Sequence, residues 1–299
     1  GVASGTEAYY SFNYGNIHFV VLDSYETSRS VSGAMMNWLE SDLQNMTADW
    51  LVAFWHHPPY TKGSHNSDTE GQLIDMRENF LPVLESYGVD LVLSGHSHSY
   101  ERSYLLDSHY GDSSTFSAVH QVDGGDGRED GDGAYDKPAA TAHAGAVYTV
   151  AGASGKISSG SLNHPAMYFS QALLGSVVLD VSDNRIDAVY LDSNGGVADY
   201  YTLTKGPDST PPTLVDADAA TDTQVTVTFS ESVDPASAEN VANYNVDGSI
   251  NVSNAIASGN TVTLTTSALT ESVLYTLTVN NVEDLDGNVI ATNSQTTFS

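Results

Sequence analysis

Two short apolar runs, each breaking straight into histidine, constrain this chain more than any other feature. Val89, Leu91, Val92 and Leu93 have the length and β-branched content of a buried strand, and the run stops at Ser94-Gly95. His96-Ser97-His98-Ser99-Tyr100-Glu101-Arg102 follows at once. Upstream, Trp50-Leu51-Val52-Ala53-Phe54-Trp55 reads as a second buried strand, and it runs into His56-His57-Pro58-Pro59-Tyr60. In extended backbone, residues i and i+2 point the same way, so His96 and His98 are expected to aim at one point beyond the strand end. Gly95 is expected to let the backbone turn tightly where a ligand approaches. Paired neutral imidazoles suit zinc, iron, manganese and similar ions, and the carboxyl ends of strands are where open α/β sheets place their sites.

The stretches around these runs supply the rest of a layered α/β domain. Glu7 to Asn13 and Ile17 to Asp23 read as a hairpin broken at Tyr14-Gly15-Asn16. His18 opens the second of those strands beside Phe19, Val20, Val21 and Leu22, and is expected to be a hydrogen-bonded strand histidine. Ser32 is expected to cap a helix reaching about Met46, with Met35, Trp38, Leu39 and Leu43 as its apolar stripe. A second helix is expected from about Thr69 to Tyr87, kinked where Pro82 removes a backbone donor. Helix then strand, twice, is the alternation of such a domain.

His56-His57-Pro58-Pro59-Tyr60 followed by Gly95-His96-Ser97-His98-Ser99-Tyr100-Glu101-Arg102 resembles the last two metal motifs of the calcineurin-like metallophosphoesterases, in their purple acid phosphatase branch. Tyr100-Glu101-Arg102 is the most branch-specific part, and the likeness runs from about Ala8 to Lys205. It implies a layered β-sandwich metallophosphoesterase domain of α/β (α+β) class that hydrolyses phosphomonoesters. Two metal ions would serve the complete family site, iron plus zinc, manganese or iron. By the same resemblance His56 and His96 hold the divalent ion, and His98 holds the neighbouring, usually ferric, ion. His65, nine residues beyond His56, takes the position of a histidine that contacts phosphate or protonates the leaving group, although as a lone loop histidine it reads as surface. His57, Tyr60, Gly95 and Arg102 are expected to support the site, Arg102 by pairing with a carboxylate.

The family's remaining ligands, two aspartates and an asparagine, belong upstream of Tyr9-Tyr10-Ser11-Phe12, where few residues remain. The domain is therefore expected to be N-terminally truncated, with at most one ion held in this chain. Gly1-Val2-Ala3-Ser4-Gly5 reads as neither signal peptide nor initiator start, so the chain is expected to begin partway through something longer.

Thirty-eight acidic against nine basic residues give a net charge of −29. Nucleic acid is thereby a poor partner, because affinity for it comes from Lys and Arg neutralising phosphates. The balance suits a secreted protein or one from salty surroundings, no apolar run is long enough for membrane insertion, and the absence of cysteine leaves the redox compartment unmarked; with the C-terminal module below, the expected location is secreted or cell surface. Asp123 to Gly133 alternates acid and glycine, which a calcium ion or plain solvation can satisfy. Strands recur at Ala146 to Ala151, Leu173 to Val181, Asn184 to Leu191 and Val197 to Lys205, with His164 expected at a cleft rim or on the surface. Residues 1–205 thus read as the phosphoesterase domain and 206–212 as a linker rich in proline and polar residues. Short alternating strands over 213–299 resemble the bacterial Ig-like modules of surface-layer proteins, an all-β Ig-like sandwich suited to cell-surface or polymer attachment. The competing reading is a non-catalytic surface or adhesion protein with a degenerate phosphatase-like domain.

Overall fold

The computed structural model describes residues 1–138, 141–158, 160–182, 184–206, 211–230, 233–284 and 287–299. Most of the expected linker, 207–210, and residues 231–232 and 285–286 of the Ig-like region lie outside the described residues. The chain divides into two compact units, Gly1–Gly206 and Pro207–Ser299.

In the first unit, strands β1 (Tyr10–Tyr14), β2 (Ile17–Val21), β3 (Trp50–Phe54), β4 (Leu91–Ser94) and β5 (Tyr100–Ser103) share a seven-stranded sheet with β9 (Val147–Ala151) and β10 (Met167–Gln171). Its order is β1-β2-β3-β4-β9-β5-β10, with β2, β3, β4 and β9 parallel. Strands β6 (Leu105–Leu106) and β7 (Gln121–Asp123) form a small ribbon. Strand β8 (Tyr135–Lys137) joins β11 (Gly175–Ser182), β12 (Arg185–Asp192) and β13 (Val197–Lys205) in a second sheet ordered β11-β12-β13-β8.

Period-two alternation decides which layer each side chain enters. Trp50 and Val52 of β3, Leu91 of β4 and Val147 of β9 pack with Tyr135, Ile186, Ala188, Tyr201 and Leu203 of the second sheet. Their neighbours Leu51, Ala53, Val92, Tyr148 and Val150 pack on the opposite face with Met35, Leu39, Phe80, Leu81 and Leu84 of the helices. The unit is thus helix, sheet, sheet, a layered metallophosphoesterase-like fold.

Helix α1 is shorter than expected, Ala34–Leu43, and its N-cap is Gly33 with no side-chain cap rather than Ser32. The second helix is not one rod bent at Pro82. Helix α2 (Gly71–Asp75) passes into a π-helical turn, Met76–Phe80, before α3 (Leu81–Ser86). Pro82 cannot donate to residue 78, so the wider turn falls in the segment just before it. His164 is buried rather than at a rim, with 2% of its surface exposed, because it packs against Tyr60 at 5.6 Å between ring centroids. Among the described residues no helix is long and apolar enough to cross a membrane.

The second unit pairs a sheet ordered β14-β15-β18-β17, made of β14 (Leu214–Thr221), β15 (Gln224–Phe229), β17 (Val252–Ser258) and β18 (Thr261–Thr266), with β16 (Tyr244–Val246), β19 (Tyr275–Val279) and β20 (Ser294–Phe298). Alternate residues such as Val225, Val227, Val262, Leu264, Leu277 and Val279 fill its core, as an Ig-like sandwich requires.

Candidate metal centre

Strands β3 and β4 are parallel neighbours in the register Val52↔Leu91, Ala53↔Val92, Phe54↔Leu93. The pairing continues past both strand ends, where Trp55 N donates to Leu93 O at 3.2 Å and Gly95 N donates to His56 O at 3.0 Å. That register sets His56 beside His96, whose ring nitrogens Nε2 and Nδ1 lie 3.0 Å apart. His57 stands 4.4 Å from His96 between ring centroids, and His65 stands 3.7 Å from it.

Glu70 enters this cluster as well. Its Oε2 lies 2.8 Å from His65 Nδ1 and 3.6 Å from His96 Nε2, while Oε1 accepts from Asn66 N at 2.8 Å. No sequence pattern marks Glu70; it is the residue before α2, five beyond His65. Ser24 was equally unmarked. Its Oγ lies 2.9 Å from His57 Nδ1 and accepts from His57 N at 3.0 Å, so it ties that buried ring to its own backbone.

His98 stands apart from the groups that could share an ion. Its Nδ1 lies 3.2 Å from Ser158 Oγ, and its backbone N donates to Ser64 Oγ at 2.9 Å. Gly95 does not carry the turn either. The left-handed residue is His96, with φ 57°, and a Cβ placed on Gly95 would meet His56 Nδ1 only at 3.8 Å, an ordinary contact. Backbone strain therefore sits on a chemistry-bearing residue, where it is held by its surroundings. Tyr60 is fully buried, and its hydroxyl donates to the His109 carbonyl behind the loop. Arg102 is buried too and forms a two-pronged pair with Asp199, Nε to Oδ2 at 2.8 Å and Nη2 to Oδ1 at 3.0 Å.

Burial first, then the charges His65 and His98 would carry when protonated, holds His56 below the ordinary imidazole value. Burial and the rings of His65 and His56 do the same for His96 against the opposing pull of Glu70. His57 falls to about 4, from burial and then from His96 and His56. Such rings stay neutral near neutral pH, which is the form that binds a metal.

Residues 2–100 match the calcineurin-like phosphoesterase family model, and residues 208–299 match the bacterial Ig-like domain model. Purple acid phosphatase 15 of Arabidopsis thaliana is 41% identical over 104 residues, 33% of this chain and 19% of that protein. Purple acid phosphatase 18 of the same plant is 30% identical over 132 residues, 43% of this chain and 29% of that protein. The structure of purple acid phosphatase PPD1 from yellow lupin (Lupinus luteus) seeds superposes with a TM-score of 0.51 at 19% identity, over 67% of this chain and 33% of that one. This chain carries a calcineurin-like phosphoesterase region and a bacterial Ig-like domain. It spans well under a third of the length of those two Arabidopsis relatives.

For a purple acid phosphatase the family site is dinuclear, and the donors here fit that demand only in part. Ligand atoms of His56, His57 and His96 lie within 4.8 Å of one another, as do those of His65, Glu70 and His96. Each set supplies three donors for one ion. The sets share His96, and among the described residues no carboxylate belongs to both. Asp23, at the carboxyl end of β2, spends both oxygens on its own turn, accepting from Tyr25 N at 2.8 Å and from Thr27 N at 2.9 Å. Among the described residues each donor set suits one ion, and none of these groups supplies a carboxylate that would bridge two.

Proposed function

We propose that this chain is part of a phosphomonoester hydrolase of purple acid phosphatase type, with the phosphoesterase domain over 1–205, a linker over 206–212 and the Ig-like domain over 213–299. The dinuclear centre belongs to the longer protein, and this chain alone holds one ion at most and turns substrate over weakly. The 3.0 Å approach of His56 Nε2 to His96 Nδ1 across two parallel strand ends carries the reading, because two ring nitrogens at that spacing can bind one ion in place of the proton they otherwise share.

A bound divalent ion supplies positive charge against a phosphoryl group. The residues here do the rest. His56, His57 and His96 offer the ligand set, with His65 and Glu70 as the alternative partners of His96 and His98 left to a neighbouring position. Glu70 accepts from His65 Nδ1 and so fixes the ring's tautomer, leaving Nε2 to exchange a proton with the leaving group. The dense negative charge of the chain does not repel an anionic ester at the site, where a metal ion dominates the local field. The Ig-like domain serves as a spacer or cell-surface attachment module, which places the enzyme outside the cell.

Metal content by mass spectrometry and hydrolysis of p-nitrophenyl phosphate test this together. The purified chain should carry up to one transition metal, lost in His96→Ala, with slow hydrolysis that falls with it. Retained metal in His96→Ala would remove the proposed centre. Fast hydrolysis by the parent chain would show that the single-ion limit is wrong. A metal-free parent with no hydrolysis at all would favour the non-catalytic surface-protein reading.

A further inference from the structure

We propose that Glu101 is the positioning residue that locks the two histidine-bearing loops against each other; that the lock serves an ion rests on the reading above. Glu101 lies on β5 with none of its surface exposed. Among the described residues no cation pairs with it. Its carboxylate is instead filled by neutral donors from both loops. Thr61 Oγ1, five residues past His56, reaches Oε1 at 2.5 Å, and Lys62 N reaches Oε2 at 3.2 Å. From the other loop, Ser99 Oγ donates to Oε1 at 2.8 Å. A buried acid without a counter-charge is costly, and an apolar residue of that size would be cheaper to bury. Burial raises its pKa above the ordinary carboxylate value against the opposing pull of the Thr61 and Ser99 hydrogen bonds.

The network reaches beyond the carboxylate. Thr61 Oγ1 lies 2.9 Å from Ser97 Oγ, which lies 3.2 Å from Ser99 Oγ, so residues on both sides of His98 and one next to His96 are tied to the His56 loop. Gly63 shows how closely the loops are seated. A Cβ there would come within 2.2 Å of Ser99 Oγ, 2.3 Å of Ser97 Oγ and 2.8 Å of Glu101 Oε1. On the far side, a Cβ on Gly152 would meet Ser97 O at 2.0 Å. Ser97 is therefore held from two directions, directly after the left-handed His96. The network thus borders the one residue of this loop held at positive φ, His96 at 57°. Glu101 touches neither substrate nor ion; it acts through the positions of His96 and His56.

Long-range proton–nitrogen correlations of the imidazole rings in the metal-free chain read this directly. Glu101→Ala should move the ring signals of His56, His65 and His96 and leave those of His18 and His143, which lie outside the network, in place. Co(II) affinity should fall at least tenfold, in the range that supporting residues around metal ligands typically show. Glu101→Gln keeps the volume and one accepting oxygen, so its ring shifts and affinity loss should be smaller and in the same direction. Ring signals of His56, His65 and His96 that match the parent in Glu101→Ala overturn the proposal. Should that variant fail to fold, unchanged rings in Glu101→Gln overturn it equally. A parent chain that binds no Co(II) refutes the single-ion reading instead, and the ring signals still decide the role of Glu101.

Discussion

Around Arg102 opposite charges meet with their donors spent, whereas around His96 rings of one kind crowd together with donors to spare. Arg102 gives its guanidinium to both oxygens of Asp199, to the Asp126 carbonyl at 3.1 Å and to Tyr135 OH at 3.2 Å, while Tyr100 OH donates to Asp199 at 2.8 Å. Asp90 makes a second closed cluster, bonded to Lys137 Nζ at 2.5 Å and Lys205 Nζ at 2.8 Å, and accepting from Leu51 N at 2.8 Å. The His96 cluster does the reverse, setting like groups near one another at partial exposure. The first arrangement closes on itself; the second leaves ligand atoms close enough to converge on one ion.

That contrast predicts a split between stability and binding. Asp199→Ala leaves Arg102 buried and unpaired, and should cost about 3–5 kcal/mol in urea unfolding of the N-terminal unit. His96→Ala should change the same midpoint by less than about 0.5 kcal/mol, since it removes a crowded ring and no buried partner depends on it. Equal losses from the two substitutions would erase the distinction drawn between the clusters.

Binding should show the opposite ranking. His96→Ala, which removes the residue common to both donor sets, should abolish Co(II) binding, whereas Glu70→Gln should weaken it by about 10- to 100-fold if that carboxylate orients His65. Asp199→Ala, assayed at a temperature where it remains folded, should bind Co(II) nearly as the parent does. Competitive titration with a chromophoric chelator measures all three.

The strands, the helix–strand alternation and the pairing of His56 with His96 were legible because they depend on local pattern: a four- to six-residue apolar run, a period of two, and the parallel register that follows. Ser24 and Glu70 were not legible, since each reaches the cluster through tertiary packing from a loop that carries no motif. His98 illustrates the limit of spacing arguments. The i, i+2 rule holds only for extended backbone, and the left-handed turn at His96 itself, two residues before His98, breaks it. Asp90, with no motif around it, turned out to be paired with Lys137 and Lys205, 47 and 115 residues away.

Two further histidines extend the comparison to pH. Burial holds His109 to about 4 and His164 to about 3, and one nitrogen of each ring, Nδ1 of His109 and Nε2 of His164, has no hydrogen-bond partner among the described residues. Each native value lies below the unfolded one of about 6.5, so below that pH the unfolded chain binds the extra protons and stability falls, by up to about 1.4 kcal/mol per pH unit per ring. Glu85, pushed up to about 7 by burial, has the opposite slope between pH 4.5 and 7, which makes the difference between variants the useful quantity. His164→Phe should flatten the decline between pH 6 and pH 4 relative to the parent. An unchanged slope would mean that His164 takes up its proton in the native state as readily as in the unfolded one.

The smallest effect isolates the strain itself. His96→Ala and His96→Gly both delete the imidazole, so they lose the same ligand and relieve the same crowding. They differ in whether the backbone at φ 57° suits the new residue. A left-handed residue with a Cβ costs about 1–2 kcal/mol, and glycine loses about 0.5–1 kcal/mol more chain entropy on folding, so His96→Gly should exceed His96→Ala by about 0.5–1 kcal/mol. The same pair of substitutions in a Glu101→Ala background should differ by less, because a loosened loop lets residue 96 relax toward negative φ. If alanine and glycine prove equally stable in both backgrounds, the turn at residue 96 stores nothing, and the Glu101 network has no strain to hold.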